Sequence, residues 1–524
     1  MFPVLTSAEM READRRTIQE VGLPGAVLME NAGAAVAVVI ASRFPGVRRP
    51  VILCGKGNTG GAGFVVARHL LALEPTAYLF AARSEVRGDA LVHMGAFERS
   101  GGHLVEVPDA TAWDEVRGQV LAARLLVDAL LGTGLRQEPT GLLGRVIREV
   151  QASRGAGRSV VAVDIPSGVS SDMGEAAWES LTADLTVTFG ARKYGHVLAP
   201  ACDGVGEVLV ADIGIPRTVI DAAGPKLWLL ERPDAAQAFL RRDPGSHKGS
   251  FGRVLVIAGS VGKTGAAILA ASGALRTGAG LVTVATPAPA GPMVAEGRAE
   301  LMTEPLPVGS DGRLSSEAAA QACSLARACD AVVLGPGLGQ DSAAREFVRE
   351  FVARCPGPLA IDADGLNALA AGPRVAAALE LLRRDRPTIV TPHPGEMARL
   401  EGTTVPEVQR RRLETARALA MASGAHVVLK GHRTIVVDAT GRAAVNPTGN
   451  PGMASGGTGD VLAGMVGALL ARGLPAWVAA TSAVYVHGLA GDLAATRLGQ
   501  EALLAGDLLD ALPEALRSLE ASDS

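Results

Sequence analysis

Aromatic side chains are scarce in this sequence, at 3% of 524 residues. Large rings therefore do not fill its cores. With 64 glycines and abundant alanine, the composition predicts tightly packed α/β layers joined by loops of bare backbone. Cysteine is scarcer still: Cys54, Cys202, Cys323, Cys329 and Cys355 are scattered, odd in number and never spaced Cys-x-x-Cys. That argues against a structural zinc site and fits a reducing compartment. An excess of one charge is also lacking, with 50 Lys+Arg against 54 Asp+Glu, so no nucleic-acid footprint is present. Long apolar runs are missing too: Ala32–Ala41 and Val461–Ala471 contain glycine and fall short of the roughly 20 residues of a membrane span. The first 16 residues have no signal-peptide core and read as a charged helix capped by Ser7. Together these absences predict a soluble, cytoplasmic protein. Its length and its 48% apolar content predict two to four domains with sizeable cores.

What is present is organised around Asn450-Pro-Gly-Met-Ala-Ser-Gly-Gly-Thr-Gly-Asp460, followed by the apolar stretch Val461–Leu470. Gly456, Gly457 and Gly459 let successive N–H groups turn inward as an anion-binding concavity, reinforced by a helix starting near Asp460. A carboxylate there would repel a bound anion, so Asp460 reads either as a helix cap or as a base for a hydroxyl beside a phosphate.

In the first half, Pro50–Gly55 is a strand, Lys56–Gly63 a glycine loop, Phe64–Leu73 a helix and Ala77–Ala81 a strand. Further strands end at Asp128, before Gly132-Thr-Gly134, and at Asp164, before Ile-Pro-Ser167-Gly. Asp184–Gly190 is another, with Lys193 just past it. Alternating strands and helices predict a parallel sheet with ligands beyond the strands' C-terminal ends. Gly55, Gly57 and Gly60 satisfy the dinucleotide fingerprint, but the expected acidic residue is missing and the second strand leads to Arg83, which disfavours an ordinary dehydrogenase. Asp128 and Asp164 could hold ribose hydroxyls, polarise a substrate, ligate a cation or cap loops.

After a polar, turn-prone seam at 228–244, a second α/β series follows: Gly252–Gly259, Leu281–Ala285, Ala331–Gly339, Leu359–Asn367, Thr388–Met397 and His426–Thr434. Gly262-Lys263-Thr264 looks like the end of a P-loop but lacks its leading glycine, since position 257 is Ile. Asp362 and Asp364 could both face a cation, but the structural reading is preferred, with Asp362 facing the sheet and Asp364 capping a helix. His393 is held stiffly between two prolines.

Both halves resemble known families. The Met29-Glu-Asn-Ala-Gly33, Gly57–Gly63, Asp128–Gln137 and Asp164–Gly168 motifs resemble the NAD(P)H-hydrate epimerases. His247–Gly252, Gly335–Gly339, Asp362–Asn367, Thr391–Met397, Lys430–Thr434 and Gly456–Asp460 resemble the ADP-dependent NAD(P)H-hydrate dehydratases, in the order of the bifunctional bacterial enzymes. The resemblance implies a Rossmann-like three-layer domain over residues 1–225, a linker at 226–245 and a ribokinase-like α/β domain over 246–524. It implies epimerisation of the C6-hydroxylated nicotinamide by the first domain. The second would dehydrate the S epimer, with ADP giving AMP and phosphate. For the first domain it implies hydrate binding by Asn58, Thr59, Gly60, Gly61, Ala62, Gly132, Thr133, Gly134, Leu135, Arg136, Gln137, Glu138 and Asp164, and K⁺ on Thr59, Asp128 and Ser167. For the second it implies hydrate binding by Ala266, Gly337, His393 and Asp460, with Asp460 catalytic, ADP held by Lys430, Gly431, His432, Arg433, Thr434 and Gly459, and Mg²⁺ as cofactor. A homo-oligomer is expected. Thr59 and Ala62 depart from the family's Gly-Asn-Asn-Gly-Gly-Asp-Gly loop, and Ala62 lacks a ligand-facing carboxylate, which predicts weakened epimerisation. The alternative is a ribokinase-type small-molecule kinase fused to a non-catalytic nucleotide-binding domain.

Overall fold

The computed structural model describes every residue except 156, 175–178, 240, 372–378 and 521–524. The chain divides into two units, Phe2–Leu227 and Trp228–Ser524, the latter including Met1.

In the first unit seven parallel strands lie in the order β4-β3-β2-β5-β6-β7-β9. They are β2 (Val51–Cys54), β3 (Thr76–Leu79), β4 (His103–Glu106), β5 (Leu125–Ala129), β6 (Ser159–Val163), β7 (Leu185–Phe189) and β9 (Glu207–Ala211). β1 (Phe2–Leu5) pairs in parallel with the short β8 (Arg192–Lys193). Strand residues alternate between two cores. Ile52 and Cys54 face one with α2 (Gly25–Arg43), α3 (Asn58–His69) and α4 (Gly88–Arg99). Val51 and Leu53 face the other with α5 (Ala110–Leu121) and α6 (Gly141–Ala152). Strand order reverses between β2 and β5, so the crevice beyond their C-terminal ends is the place for a ligand.

Two local expectations are corrected. The N-terminal helix α1 (Ser7–Arg16) is capped by Thr6, not Ser7, in a capping box with Glu9. More consequentially, the Asn58–Gly63 run is not loop but the opening of α3. Its glycines serve close approach: a Cβ on Gly60 would lie 1.7 Å from the Gly55 carbonyl oxygen, and one on Gly63 would lie 2.8 Å from Cys54 Sγ. Packing against β2 thus overrides weak helix propensity. α2 is itself 19 residues long and apolar enough by composition to cross a membrane. It buries Val36, Ala37 and Ile40 in the core and carries Glu30, bonded to Arg68, and Asn31, whose amide donates to the Ile213 carbonyl.

The second unit's sheet runs β13-β12-β11-β14-β15-β16-β17-β18-β19. The short β10 (Leu227–Leu229) precedes β11 (Arg253–Ile257), β12 (Leu281–Pro287), β13 (Met302–Leu306), β14 (Ala331–Leu334), β15 (Leu359–Ile361), β16 (Thr388–Val390), β17 (His426–Leu429), β18 (Ile435–Val437) and β19 (Ala443–Val445). Pairing is parallel from β13 to β17 and antiparallel from β17 to β19. Here the order reverses between β11 and β14, whose following loops are tied by Gly259 N donating to Pro336 O at 2.8 Å and Ser260 Oγ to Gly337 O at 2.8 Å.

Helix Thr458–Ala471 is buried along its whole length from Val461 to Ala471. Small residues let it lie almost on helix Thr264–Arg276: a Cβ on Gly464 would come within 1.8 Å of the Ala270 carbonyl oxygen. Close packing fixes the helix axis, and with it the position of the helix's N-terminus on the rim.

Candidate functional site

The first unit holds a cavity of about 1130 Å³ at the β2/β5 crevice. Asn58, Thr59, Gly60, Ala62, Gly132–Gln137 and Asp164 line it, whereas Gly61 and Glu138 are not among its walls. Gly132 is required by contact, since a Cβ there would sit 2.1 Å from Thr59 Oγ1. Asp164 follows β6 with φ +70°, a strained value for a non-glycine residue that turns its carboxylate into the cavity. Its Oδ1 accepts from Lys193 Nζ at 2.6 Å and from Thr188 Oγ1 at 2.8 Å. Burial works to raise the Asp164 carboxyl pKa, but Lys193 outweighs it and holds the group below the usual carboxylate range.

Asp128 and Ser167 meet behind this wall. Ser167 Oγ donates to Asp128 Oδ1 at 2.6 Å, and Ser167 N donates to Asp128 Oδ2 at 2.7 Å. Asp128 is fully buried with no cationic partner among the described residues, and burial pushes its pKa up to about 6. Thr59 lies across the rim against Gly132. No motif pointed to α1, yet its Met10, Arg11 and Asp14 line the same cavity. Burial pushes the Asp14 carboxyl up to about 6 against the pull of Lys193.

In the second unit, Asp460 stands in the first turn of helix Thr458–Ala471, after Gly457 at φ +96°. Thr458 Oγ1 donates to Met453 O at 3.0 Å, and Asp492 accepts from Gly449 N and Asn450 Nδ2, both at 2.9 Å. These bonds set the path of the glycine stretch. The buried hydroxyl of Ser455, within this stretch, has no hydrogen-bond partner among the described residues.

Lys430, just past β17, is the charge at the centre. Its Nζ bonds Asp362 Oδ1 at 2.6 Å and would lie 3.1 Å from a Cβ on Gly459, so a side chain at 459 would crowd the ammonium. Burial would lower the Lys430 pKa, but Asp362 and Glu396 more than offset it, and the group stays a cation. Around it is more negative charge than one lysine balances. Burial, then the charge of Asp362, pushes Asp460 up to about 7. Burial pushes Glu396 up to about 7 as well.

The structural reading of the Asp362/Asp364 pair is corrected. Ala363 between them has φ +51°, which turns the backbone so that both carboxylates reach the rim. Asp362 meets Lys430; Asp364 opens a helix but also accepts from Gly339 N at 2.9 Å, Gln340 Nε2 at 2.8 Å and Lys263 Nζ at 3.4 Å. Lys263 therefore braces the Gly335–Gln340 loop in place of any P-loop role. Ala266 and Gly337 adjoin there, with a Cβ on Gly337 falling 2.8 Å from Ala266 Cβ.

His393 caps the helix Pro394–Glu401, its Nδ1 accepting from Gly395 N at 2.9 Å, while its ring stays half-exposed on the rim. Burial and the nearby Lys430 lower its pKa, so it is neutral near pH 7. In the 430–434 loop, Gly431 lies beside buried Arg412, whose guanidinium donates to the carbonyls of Leu429 at 3.2 Å and Lys430 at 3.3 Å. Thr434 Oγ1 donates to Gly431 O at 3.0 Å, Arg433 has φ +56°, and His432 is exposed.

Two family models match the chain: one described as NAD(P)H-hydrate dehydratase over residues 254–514, the other as YjeF-related protein N-terminus over residues 25–195. A bifunctional NAD(P)H-hydrate repair enzyme of Moorella thermoacetica is 42% identical over 522 residues, covering 99% of this chain and 97% of that protein. The Escherichia coli enzyme of the same name is 35% identical over 506 residues, covering 96% and 92%. Among solved structures, an ADP/ATP-dependent NAD(P)H-hydrate dehydratase from Bacillus subtilis, co-crystallised with ATP and Mg²⁺, is 32% identical. It covers 56% of this chain and 98% of its own, with a TM-score of 0.47. With relatives that match almost end to end and a family model on each unit, the chain belongs to the bifunctional NAD(P)H-hydrate repair enzymes.

Proposed function

We propose that the second unit phosphorylates the C6 hydroxyl of the hydrated nicotinamide from ADP, giving AMP, and that the ring nitrogen then expels phosphate as C5 loses a proton. Hydroxide is a poor leaving group and phosphate a good one, which gives a kinase-like site its place in a dehydration. The observation that carries this reading is Asp460: a carboxylate with pKa about 7, in the first turn of a helix, beside a glycine concavity and Lys430. Such a group accepts a hydroxyl proton near neutral pH. The amides of Gly456–Gly459, the free Ser455 hydroxyl and Lys430 are suited to the charge on the moving phosphoryl group. The 430–434 loop and Gly459 hold the nucleotide; Ala266, Gly337, His393 and Asp460 hold the hydrate.

Mg²⁺ fits this site, because Asp362, Asp364, Glu396 and Asp460 outnumber Lys430 and Lys263. The ion would shield phosphate oxygens from these carboxylates, with Asp362 and Glu396 facing it. K⁺ fits the first unit, where Asp128 is a buried carboxylate without a cation and the Ser167 and Thr59 hydroxyls add neutral oxygens. The first unit epimerises the hydrate, so both forms reach the dehydratase. The rival reading of a kinase with a non-catalytic appendage is set aside, since the repair relatives match both halves. A cytoplasmic homo-oligomer goes with this function, which sedimentation of the full chain would test. Asp460→Asn should abolish ADP-dependent recovery of reduced cofactor while leaving epimerisation intact; retained recovery would remove Asp460 as the base.

A further inference from the structure

Three acids that nothing above employs, Asp14, Glu85 and Asp89, line the first cavity. Asp14 sits on α1 and lines the cavity with Met10 and Arg11. The charged groups facing it are Lys193 and Asp164. Both are already committed: Lys193, 1% exposed, donates to Asp164, to Thr188 Oγ1 at 2.8 Å and to Phe189 O at 3.1 Å. Behind them His196 accepts from Lys193 N at 2.9 Å and is neutral, burial having pushed it down to about 3. At the mouth, Lys56 and Glu85 pair with each other at 2.6 Å. Asp14 is half-buried and its carboxylate has no hydrogen-bond partner among the described residues; Asp89, which also lines the cavity, has none either, but Asp14 is the one beside Lys193 and Asp164.

We infer that Asp14 is the general acid and base that exchanges the C6 hydroxyl during epimerisation. The inference rests on the epimerase reading of this unit. Asp14 in its acid form gives its proton to the C6 hydroxyl oxygen as the C–O bond breaks. Water leaves, and the N1 lone pair closes an N1=C6 iminium. The cationic ring turns about its bond to ribose, for which a cavity of about 1130 Å³ leaves room, and presents its other face. Water adds at C6 and returns its proton to the Asp14 carboxylate. Atoms and protons balance, and no oxidant or nucleotide is consumed. A carboxyl that keeps its proton to about pH 6 is matched to this exchange, because both of its forms are accessible near neutrality.

The test uses the full chain, pure (R)-hydrate of NADH, no ADP, and chromatography that separates the epimers. Asp14→Asn should lower kcat by roughly 10²–10⁴-fold, with KM changed only a few-fold. Dehydration of the S epimer with ADP should be unchanged. The wild-type rate should fall as pH rises above about 6, because the acid form of Asp14 starts the cycle. Asp14→Glu should retain part of the rate with that limb displaced. An Asp14→Asn rate within about threefold of wild type, or an unchanged limb in Asp14→Glu, would overturn the assignment. Should Asp14→Asn unfold the first unit, the Glu variant decides alone. If the wild-type chain left the epimers unchanged, the epimerase reading itself would fall, and this assignment with it.

Discussion

Replacing Asp460 by Asn should make the second unit more stable while it destroys dehydration. The carboxyl is held at about 7 in the fold against an ordinary 3.8 for aspartate, because burial and Asp362 disfavour its charge. A raised acid pKa means the folded state binds the proton more tightly. The ionised group costs nothing at pH values below the unfolded pKa, and its cost grows as pH rises and is complete once the folded pKa is passed. That difference in pKa corresponds to about 4 kcal/mol. Partial solvent access and relaxation of Lys430 reduce this to about 2 kcal/mol. Asn is isosteric, and the Asp460 carboxylate accepts no hydrogen bond among the described residues, so little offsets the gain. For a unit of this size about 2 kcal/mol raises Tm by roughly 4–8 °C. Calorimetry without nucleotide or Mg²⁺ should show that gain at pH 8 and almost none at pH 4. No gain at pH 8 would refute the strained-charge account; an equal gain at both pH values would trace it to packing.

Other consequences follow from the same geometry. Ala62 lines the cavity at 3% exposure beside the core residue Met29, so Ala62→Asp should raise the epimerisation rate and lower the first unit's Tm; an unchanged rate would show the carboxylate is dispensable. Asp128, pushed up to about 6, costs the first unit stability as pH rises from about 4 to above 6. K⁺ should recover that loss, and exchanging K⁺ for tetramethylammonium should lower both Tm at pH 8 and the epimerisation rate. Arg412→Met removes the guanidinium that ties the Leu429 and Lys430 carbonyls, so KM for ADP should rise about tenfold, with epimerisation unaffected.

The parallel sheets were legible because strands such as Val51–Cys54 and Ala331–Leu334, buried throughout, are continuous apolar runs in the sequence. The Asn58–Gly63 motif was legible as a motif but misleading as a loop, because glycine serves two ends, positive φ and close approach, and only the contact of Gly60 with Gly55 tells them apart. Asp362 and Asp364 alternate in sequence as on a strand, and nothing in the residue types shows that Ala363 would adopt φ +51° and send both to the rim. Asp14 was hidden for a different reason. It belongs to a charged helix whose buried residues are Ser7, Met10 and Ala13, and only tertiary packing brings the half-buried Asp14 beside Lys193.

In the proposed chemistry, ADP-driven phosphorylation at C6 restores the reduced nicotinamide. Its most direct test gives the full chain (S)-NADH hydrate with and without ADP and Mg²⁺. Return of the reduced-nicotinamide absorbance is followed together with AMP and phosphate. Recovery is expected only with nucleotide, with one AMP and one phosphate for each cofactor restored, and neither recovery nor AMP is expected with Asp460→Asn. Recovery without nucleotide, or AMP formation with no cofactor restored, would contradict this chemistry.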